Sequence, residues 1–407
     1  MMETTSQKVD IQQVKSVVST SFPELWLQTE ACLSTMVTLL LKNNSNPTAL
    51  VLLGKASAGK STVLKFFRGM DELVYSSDNF SPKALLTQYA NKDKKALEEV
   101  DMLTRIQKKC FIVFDLGPIF SKRFEDLKDT LSVLTRALDG DGLSMDGGVH
   151  GQRKLTGDYM FAMLGASIPF AYKVWDVTAS LGSRLLFLNM PNIEYGDDEI
   201  IADYLGGIPY KQKVEICNEA MKQFVPSLFK EKGGFRAIDW EDKNIPMDVL
   251  KAASFFAKLL VRLRGKAPCM YEDRDGNFEH QEVSIECPKR AMALLLNLAK
   301  GRAIIYGRNQ VTIEDISLLR EVVLSSGPQD RGKIMRELIN RPSHSMSKED
   351  VSILLKGGEK MTKLAMVNLE VLELATSGKL HGEGRGRPGN TITLCENMVK
   401  NIDLLRG

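Results

Sequence analysis

A glycine-rich stretch at residues 54–61 has the residue types and spacing of a phosphate-binding loop. It reads GKASAGKS, satisfies the pattern GxxxxGK[ST], and lies between an apolar run and a helical pattern. In such a loop, backbone N–H groups face the phosphates of a nucleotide, and the following helix adds its positive N-terminus. We predict that Lys60 contacts the β- and γ-phosphates and that the Ser61 hydroxyl ligates Mg²⁺. The predicted nucleotide-binding residues are Gly54, Ala56, Ser57, Ala58, Gly59, Lys60, Ser61 and Thr62.

A second stretch, CFIVFD at residues 110–115, could complete this site. A P-loop protein that hydrolyses its nucleotide needs an acid at the end of a neighbouring strand, which holds Mg²⁺ directly or through water. Asp115 follows four apolar residues, so we predict that it holds the metal together with Ser61. Leu116 comes next, where many such ATPases carry a catalytic glutamate. We therefore expect either that another acid orients the attacking water or that turnover is slow.

The sequence also indicates which nucleotide base the site recognises, because it lacks a segment that reads guanine. GTP-binding proteins with a similar loop need an Asn-Lys-x-Asp segment to read guanine. The Asn-Lys candidate in this chain, at residues 91–92, is followed by Asp93 and Lys94, so the order is wrong. The sequence therefore favours ATP, with Mg²⁺ as the accompanying ion.

Alternating apolar runs and amphipathic helices must position these groups. The runs at residues 49–53, 111–114, 159–164 and 185–188 alternate with helical patterns, which indicates an α/β core with a parallel sheet covered by helices on both faces. Residues 1–47 are predicted to be mostly helical. After about residue 191 helices dominate, interrupted by a predicted hairpin around residues 274–277. A helix is expected from residue 288 to about 306, and Thr312 with Asp315 predicts a capping box for the next one.

Composition and charge exclude several classes of protein. The chain has 407 residues, 43% apolar and 26% charged, which is typical of a globular protein with two to four folded units. A net charge of +3 gives no global basic field, so any nucleic-acid contact must be local. No apolar run approaches the ~20 residues of a membrane-spanning helix, so we expect a cytoplasmic protein without membrane contact. The six cysteines are scattered and the histidines number four, which disfavours a His-based metal centre.

The motifs together resemble the AAA+ ATPases, particularly the branch that includes the minichromosome-maintenance helicases. The resemblance covers residues 47–324. DGLSMDGGVHGQRKLTGD is similar to the hairpin that precedes sensor 1, YMFAMLGAS to the sensor-1 strand, and ECPKRAMALLLNLAKGRAIIYGRNQVTIEDI to the lid helices of that branch. The resemblance implies a P-loop AAA+ core with a pre-sensor hairpin, followed by a helical lid domain. It also assigns Ser167 to the tip of sensor 1 and Arg290 to sensor 2.

The same resemblance implies self-association and contact with DNA. SLGSRLLFLNMP is similar to the segment that bears the arginine finger, which assigns Arg184 to that role. A finger completes the γ-phosphate site of a neighbouring subunit, so we expect a ring, hexameric by analogy, or at least a dimer. On the predicted hairpin, Arg153 and Lys154 match the basic residues that touch DNA in the helicases.

The last 65 residues form a separate pattern. Ser347 with Asp350 predicts a helix start, a second helical pattern follows, and a basic glycine-rich hairpin comes last, which is the element order of a winged helix. Arg385 and Arg387 are spaced by glycines, which suits contact with DNA phosphates or a minor groove. A winged helix also suits a protein partner.

We therefore predict five segments. They are an N-terminal helical segment (1–47), the α/β core (48–192), a helical lid with a hairpin insertion (193–326), a linker (327–342) and a winged helix (343–407). The predicted function is an oligomeric, Mg²⁺-dependent ATPase acting on DNA as a helicase-like translocase or a loader in mobile-element replication. Two alternatives stay open: an ATP-switched remodelling or assembly protein that grips a protein partner, and a nucleotide-dependent defence or sensor oligomer.

Overall fold

The computed structural model describes residues 9–87, 99–147, 151–272, 278–280, 282–380 and 389–406. The chain divides into two compact units. The first unit comprises residues 1–170, 184–245 and 297–311, and the second comprises residues 171–183, 246–296 and 312–407. Among the described residues, no helix has the length and apolar character needed to cross a membrane.

A parallel five-stranded sheet forms the centre of the first unit. The strands of this unit are β1 (Ala49–Leu53), β2 (Val74–Ser77), β3 (Cys110–Val113), β4 (Gly142–Gly147), β5 (Gly151–Thr156), β6 (Ala162–Ser167) and β7 (Leu185–Asn189). The sheet has the order β2-β3-β6-β1-β7. Every residue of β1 and β3 is buried, as expected for the near-continuous apolar runs of a parallel sheet.

Nine helices are found in the described part of the chain up to residue 231. They are α1 (Ile11–Ser21), α2 (Trp26–Met36), α3 (Lys60–Lys65), α4 (Met102–Ile106), α5 (Gly117–Phe120), α6 (Phe124–Ala137), α7 (Tyr172–Leu181), α8 (Asp197–Gly206) and α9 (Tyr210–Glu231). All but α7 belong to the first unit. In α2 even polar residues are buried, because the Thr29, Ser34 and Thr35 hydroxyls donate to the carbonyl oxygens four residues before them.

The predicted core strands are present, with shifted ends and one addition. β1 has the predicted bounds, whereas β6 begins and ends three residues later than the run at 159–164. Its small residues, Gly165, Ala166 and Ser167, continue the strand although they lack the bulk of a typical buried run. β2 was not predicted, because in this edge strand only Val74 is buried.

The predicted pre-sensor hairpin is formed by β4 and β5. The two strands pair antiparallel, from Gly142 opposite Thr156 to Gly147 opposite Gly151. Gly142 has φ +90°, and a Cβ there would lie 2.0 Å from the Leu155 carbonyl oxygen, so the position requires glycine. Residues 148–150 lie outside the described part of the chain.

The second unit is helical apart from two small sheets. Its further helices are α10 (Met247–Arg264), the first turns of α11 (Pro288–Ile305), α12 (Ile316–Ser325), α13 (Gln329–Asn340), α14 (Lys348–Leu355), α15 (Glu359–Val371), α16 (Glu396–Val399) and α17 (Ile402–Arg406). Strands β8 (Cys269–Glu272) and β9 (Phe278–His280) pair antiparallel around the predicted turn at 274–277, which is not described. Strands β10 (Ser345–Ser347), β11 (Ala375–Leu380) and β12 (Gly389–Leu394) form a sheet of order β10-β12-β11.

Both predicted capping boxes are present in this unit. Asp315 accepts hydrogen bonds from the N–H and hydroxyl of Thr312. Asp350 and Ser347 bond each other reciprocally at the start of α14.

Two predicted boundaries were wrong. The stretch 327–342, predicted as a linker, is mostly α13, whose Ile334, Met335 and Leu338 are fully buried. Pro328 precedes its first turn and therefore begins a helix rather than breaking one. The predicted lid and core are also divided differently. Residues 193–245 and 297–311 of the predicted lid belong to the first unit, and residues 171–183 of the predicted core belong to the second.

Candidate nucleotide-binding site

The predicted phosphate-binding loop lies between β1 and α3, at the carboxyl end of the central sheet. β1 pairs with β6 on one side and β7 on the other. The Gly54 N–H donates to the Ser167 carbonyl (3.2 Å), which continues the ladder one residue beyond the strand. Parallel α/β sheets bind ligands at this edge.

The backbone of the loop is shaped for close approach of a ligand. Gly59 has φ +86° and Ser57 has φ +61°, so both lie in the left-handed region. A Cβ at Gly54 would lie 2.8 Å from the side chain of Met190. Within the described part of the chain, no acceptor is hydrogen-bonded to the N–H groups of Ala56, Ser57, Gly59 or Lys60. These donors fit the oxygens of a nucleotide phosphate.

Lys60 is the cation of this loop. Its Nζ donates to the carbonyl oxygens of Gly54 (2.7 Å) and Lys55 (2.6 Å), so the side chain folds back across the loop. Partial burial lowers the pKa of the Lys60 ammonium group, and the negative charge of Asp115 opposes this by raising it.

Asp115 and Ser167 lie at the ends of two neighbouring strands on the same edge. Asp115 follows β3, and its Oδ1 accepts a hydrogen bond from the Gly117 N–H (2.8 Å). Ser167 is the buried last residue of β6, and its hydroxyl donates to the Ile168 carbonyl (2.9 Å). The exposed Ser61 and the Asp115 carboxylate supply oxygen ligands of the kind that Mg²⁺ prefers.

Residues distant in the sequence line the loop and were not predicted. The Thr62 hydroxyl lies 2.9 Å from the Tyr210 hydroxyl, and the Tyr210 ring meets Phe22 edge-on at 6.0 Å. The Leu25 side chain lies where a Cβ of Gly59 would point. These contacts join α1, the turn before α2 and the start of α9 to the loop. No local sequence signal identifies such long-range partners.

Arg184, predicted as an arginine finger, lies at the opposite end of the sheet from the loop, where the strands begin. It precedes the first residue of β7, which is aligned with the first residue of β1, whereas the loop follows the last residue of β1. Its Nε lies 2.9 Å from Asp139 Oδ1 in a mostly buried ion pair. The five residues of β1 separate the two edges by roughly 16 Å at ~3.3 Å per residue. Arg184 therefore does not contact the phosphate loop of its own chain.

The two basic residues predicted on the hairpin point in different directions. Arg153 Nη2 lies 2.7 Å from the fully buried Asp101 carboxylate, and Arg153 also donates to the Thr87 carbonyl. Lys154 is exposed. Successive strand residues face opposite sides, so one hairpin cannot present both to the same ligand. The prediction that Arg153 offers its charge to DNA is not supported by this burial.

The remaining predicted residues belong to the second unit or are not described. Arg290 is exposed in the first turn of α11 and belongs to the second unit. Arg385 and Arg387 lie outside the described residues.

Comparisons with known proteins match this chain to solved structures at low sequence identity. No family model and no curated protein matches the sequence. A full-length MCM homolog from Methanopyrus kandleri has a TM-score of 0.41 and 14% identity, over 79% of this chain and 62% of that chain. SCCmec type IV Cch, an active helicase, has a TM-score of 0.37 and 11% identity, over 98% and 72% of the two chains. The Aeropyrum pernix ORC1 protein in complex with DNA has a TM-score of 0.24 and 12% identity, over 96% and 90%.

The chain thus spans 62% of the length of the MCM homolog. One of the solved structures that match is named as an MCM homolog, the branch that the sequence resembles. At these identities the likeness concerns the fold, and the activity has to be inferred from the residues of this chain.

Proposed function

We propose that the chain is a Mg²⁺-dependent AAA+ ATPase that forms oligomers and couples ATP hydrolysis to action on DNA, as a helicase-like translocase or loader. The observation that carries the ATPase proposal is the loop at the carboxyl edge of the sheet. It combines backbone donors that have no acceptor among the described residues with Lys60, and Asp115 acts on that lysine electrostatically. These groups are the ones that bind and polarise a nucleoside triphosphate.

Different residues of the chain would bind the phosphates, hold the metal ion and supply a polar contact. The loop N–H groups and Lys60 bind the β- and γ-phosphates and stabilise the charge that develops on them. Ser61 and Asp115 would hold Mg²⁺, which when bound neutralises phosphate charge and fixes the geometry. The Ser167 hydroxyl is one strand away from the loop and is the proposed polar contact at the end of β6.

The position of Arg184 supports self-association. Its guanidinium is too far from its own loop to contact the γ-phosphate there, so a finger role requires the site of another subunit. We therefore propose that the active form is a ring, or at least a dimer, in which Arg184 acts in trans. Sensor 2 is proposed at Arg290 by resemblance.

An exposed apolar segment of the first unit supports the same proposal. Between β7 and α9, large apolar side chains are exposed on and around α8; they are Ile193, Tyr195, Ile200, Ile201, Tyr204, Leu205 and Ile208. Tyr204 is 89% exposed and Leu205 is 77% exposed. Exposed apolar surface of this density is typical of a protein interface. We propose that another copy of the chain covers it.

Replacing Tyr204 and Leu205 together with serine should weaken self-association. The double change removes apolar surface that the neighbour would bury, so the assembly should dissociate at a higher protein concentration than the wild type. Sedimentation in the presence of a non-hydrolysable ATP analogue measures this. The matched control is Ile353→Ser, at a residue of the second unit that is 76% exposed. An assembly that stays intact after the double change would contradict this interface, and so would an equal weakening by the control.

DNA should stimulate ATP hydrolysis, and Lys154 should contribute to the effect. Contacts with phosphates release counterions, so the apparent DNA affinity should fall steeply as salt increases. Lys154→Ala should weaken DNA binding and make the salt dependence shallower, by about 1 in the slope of log affinity against log salt concentration. The control is Lys128→Ala, an exposed lysine on α6. ATPase activity indifferent to DNA at all salt concentrations would reject the DNA proposal.

A protein partner is the second candidate, favoured by a groove in the C-terminal part. We propose that residues 343–407 form a winged helix, which the order β10, α14, α15, β11, β12 and the antiparallel sheet support. A groove of about 310 Å³ there combines the apolar Met366 and Val367 with the lysines at 348, 363 and 379. An acidic, apolar peptide fits this lining. If DNA has no effect on the ATPase, this groove becomes the main candidate for the partner.

A further inference from the structure

Position 116 cannot supply the acid that orients the attacking water. Leu116 is buried, its N–H donates to the Ala166 carbonyl (2.8 Å), and its Cδ1 lies 2.5 Å from where a Cβ of Gly165 would be. The side chain thus fills the space that the glycine leaves in β6. A carboxylate at this position would be buried among apolar groups, at a high cost in free energy.

Asp115 is not well suited to act as the base itself. It is the proposed ligand of Mg²⁺, and the charge of a bound cation reduces the basicity of a carboxylate. Its Oδ1 already accepts the hydrogen bond from Gly117. A second carboxylate at the same edge is therefore needed for rapid hydrolysis.

Asp78 is placed at that edge by the pairing of β2 with β3. The two strands are parallel and in register, with Ser77 opposite Val113. Beyond them the Phe114 N–H donates to the Ser77 carbonyl (3.0 Å) and the Asp115 N–H donates to the Asp78 carbonyl (2.9 Å). The main chains of the two aspartates are therefore hydrogen-bonded at the carboxyl end of the sheet. By contrast, Asp71 and Glu72 precede β2 and belong to the other edge.

The Asp78 side chain is accessible and has a neighbouring cation. It is 90% exposed, and Arg68 Nη2 lies 3.6 Å from its Oδ1. The Arg68 guanidinium is itself held over the Phe114 ring, 4.1 Å from the centroid. The carboxylate is thus solvated, and it lies one strand beyond Asp115 at the carboxyl end of the sheet.

We propose that Asp78 is the water-activating acid of this ATPase, in place of the glutamate absent at position 116. This inference rests on the proposed ATPase function. The water oxygen forms a bond to the γ-phosphorus while the bond from that phosphorus to the β–γ bridging oxygen breaks, so ADP leaves with that electron pair. The proton of the attacking water passes to the Asp78 carboxylate and from there to solvent or to the released phosphate.

Asp78→Asn should lower kcat on the order of 10²-fold or more and leave the KM for MgATP within about threefold, because the amide keeps the shape but cannot accept the proton. Asp78→Glu should retain a larger part of the activity.

Two controls separate chemistry from structure. Asp71→Asn changes an exposed acid at the other edge and should leave kcat unchanged. Arg68→Ala breaks the same ion pair but keeps the carboxylate, so it should retain most of the activity. If Arg68→Ala reproduces the loss seen in Asp78→Asn, or if Asp78→Asn turns over like the wild type, the inference is overturned. A wild-type chain that binds ATP without hydrolysing it would overturn the proposed function as well.

Discussion

Lys60→Ala is expected to abolish ATP hydrolysis, with a loss on the order of 10²- to 10³-fold or greater. The ammonium group is the point charge for the β- and γ-phosphates, and its partial burial strengthens its interaction with them. The same change should weaken ATP binding, because the Lys60 ammonium group lies across the loop main chain, whereas the other lysine of the loop, Lys55, is exposed. Phosphate release and titration with a fluorescent ATP analogue measure the two effects.

The control for this prediction lies in the same loop. Lys55 is exposed, and its contact with Lys60 is made by its main-chain carbonyl. Lys55→Ala removes an equal charge without touching that contact, so its activity should stay within about threefold of the wild type. A Lys60 variant that hydrolyses ATP as well as the Lys55 variant would reject the site.

Arg184→Ala is expected to lower kcat by about 10³-fold while ATP binding is retained. The guanidinium lies at the far edge of its own sheet, so its loss should affect the phosphate site of a neighbour. Mixing the Arg184 variant with the Lys60 variant tests this directly. In mixed assemblies, an intact Lys60 loop meets an intact Arg184 of the other chain, so part of the activity should return.

The ion pair of Arg184 requires its own control. Asp139→Asn breaks the pair with Arg184 but leaves the guanidinium in place. If Arg184 acts on a neighbour's phosphate, this variant should keep most of the activity, and it can be checked for unchanged thermal unfolding. Equal losses in Arg184→Ala and Asp139→Asn, with no recovery on mixing, would mean that Arg184 has a structural role alone.

The central features of the site could be predicted because they depend on neighbours in the sequence. A run of five buried residues followed by GxxxxGK[ST] is sufficient to predict a strand, a loop and a helix start, and the structure has all three. The position of Asp115 after a strand could be predicted for the same reason, since that strand is apolar throughout. Thr312 and Ser347 are similar cases, because a capping box is a local hydrogen-bond pattern.

The features that were missed depend on contacts between distant segments. β2 has one buried residue, and it forms a strand because β3 provides hydrogen-bonding partners. The stretch of α13 has the composition of a linker, because many charged residues lie among the apolar residues of its buried face. The sequence predicts a DNA contact for Arg153 because it gives no sign of the ion pair with Asp101, 52 residues away, which neutralises the arginine. The role proposed for Asp78 also requires knowledge of the strand order.

The folded-back position of Lys60 has a consequence for how tightly the loop holds a nucleotide. Its bonds to the Gly54 and Lys55 carbonyls occupy two of the three N–H donors of the ammonium group. An incoming triphosphate must replace these bonds, so the affinity reports an exchange of partners and is smaller than the strength of the new contacts alone. The same bonds stabilise the conformation of the loop between rounds of turnover, so the loop need not change shape when the product leaves.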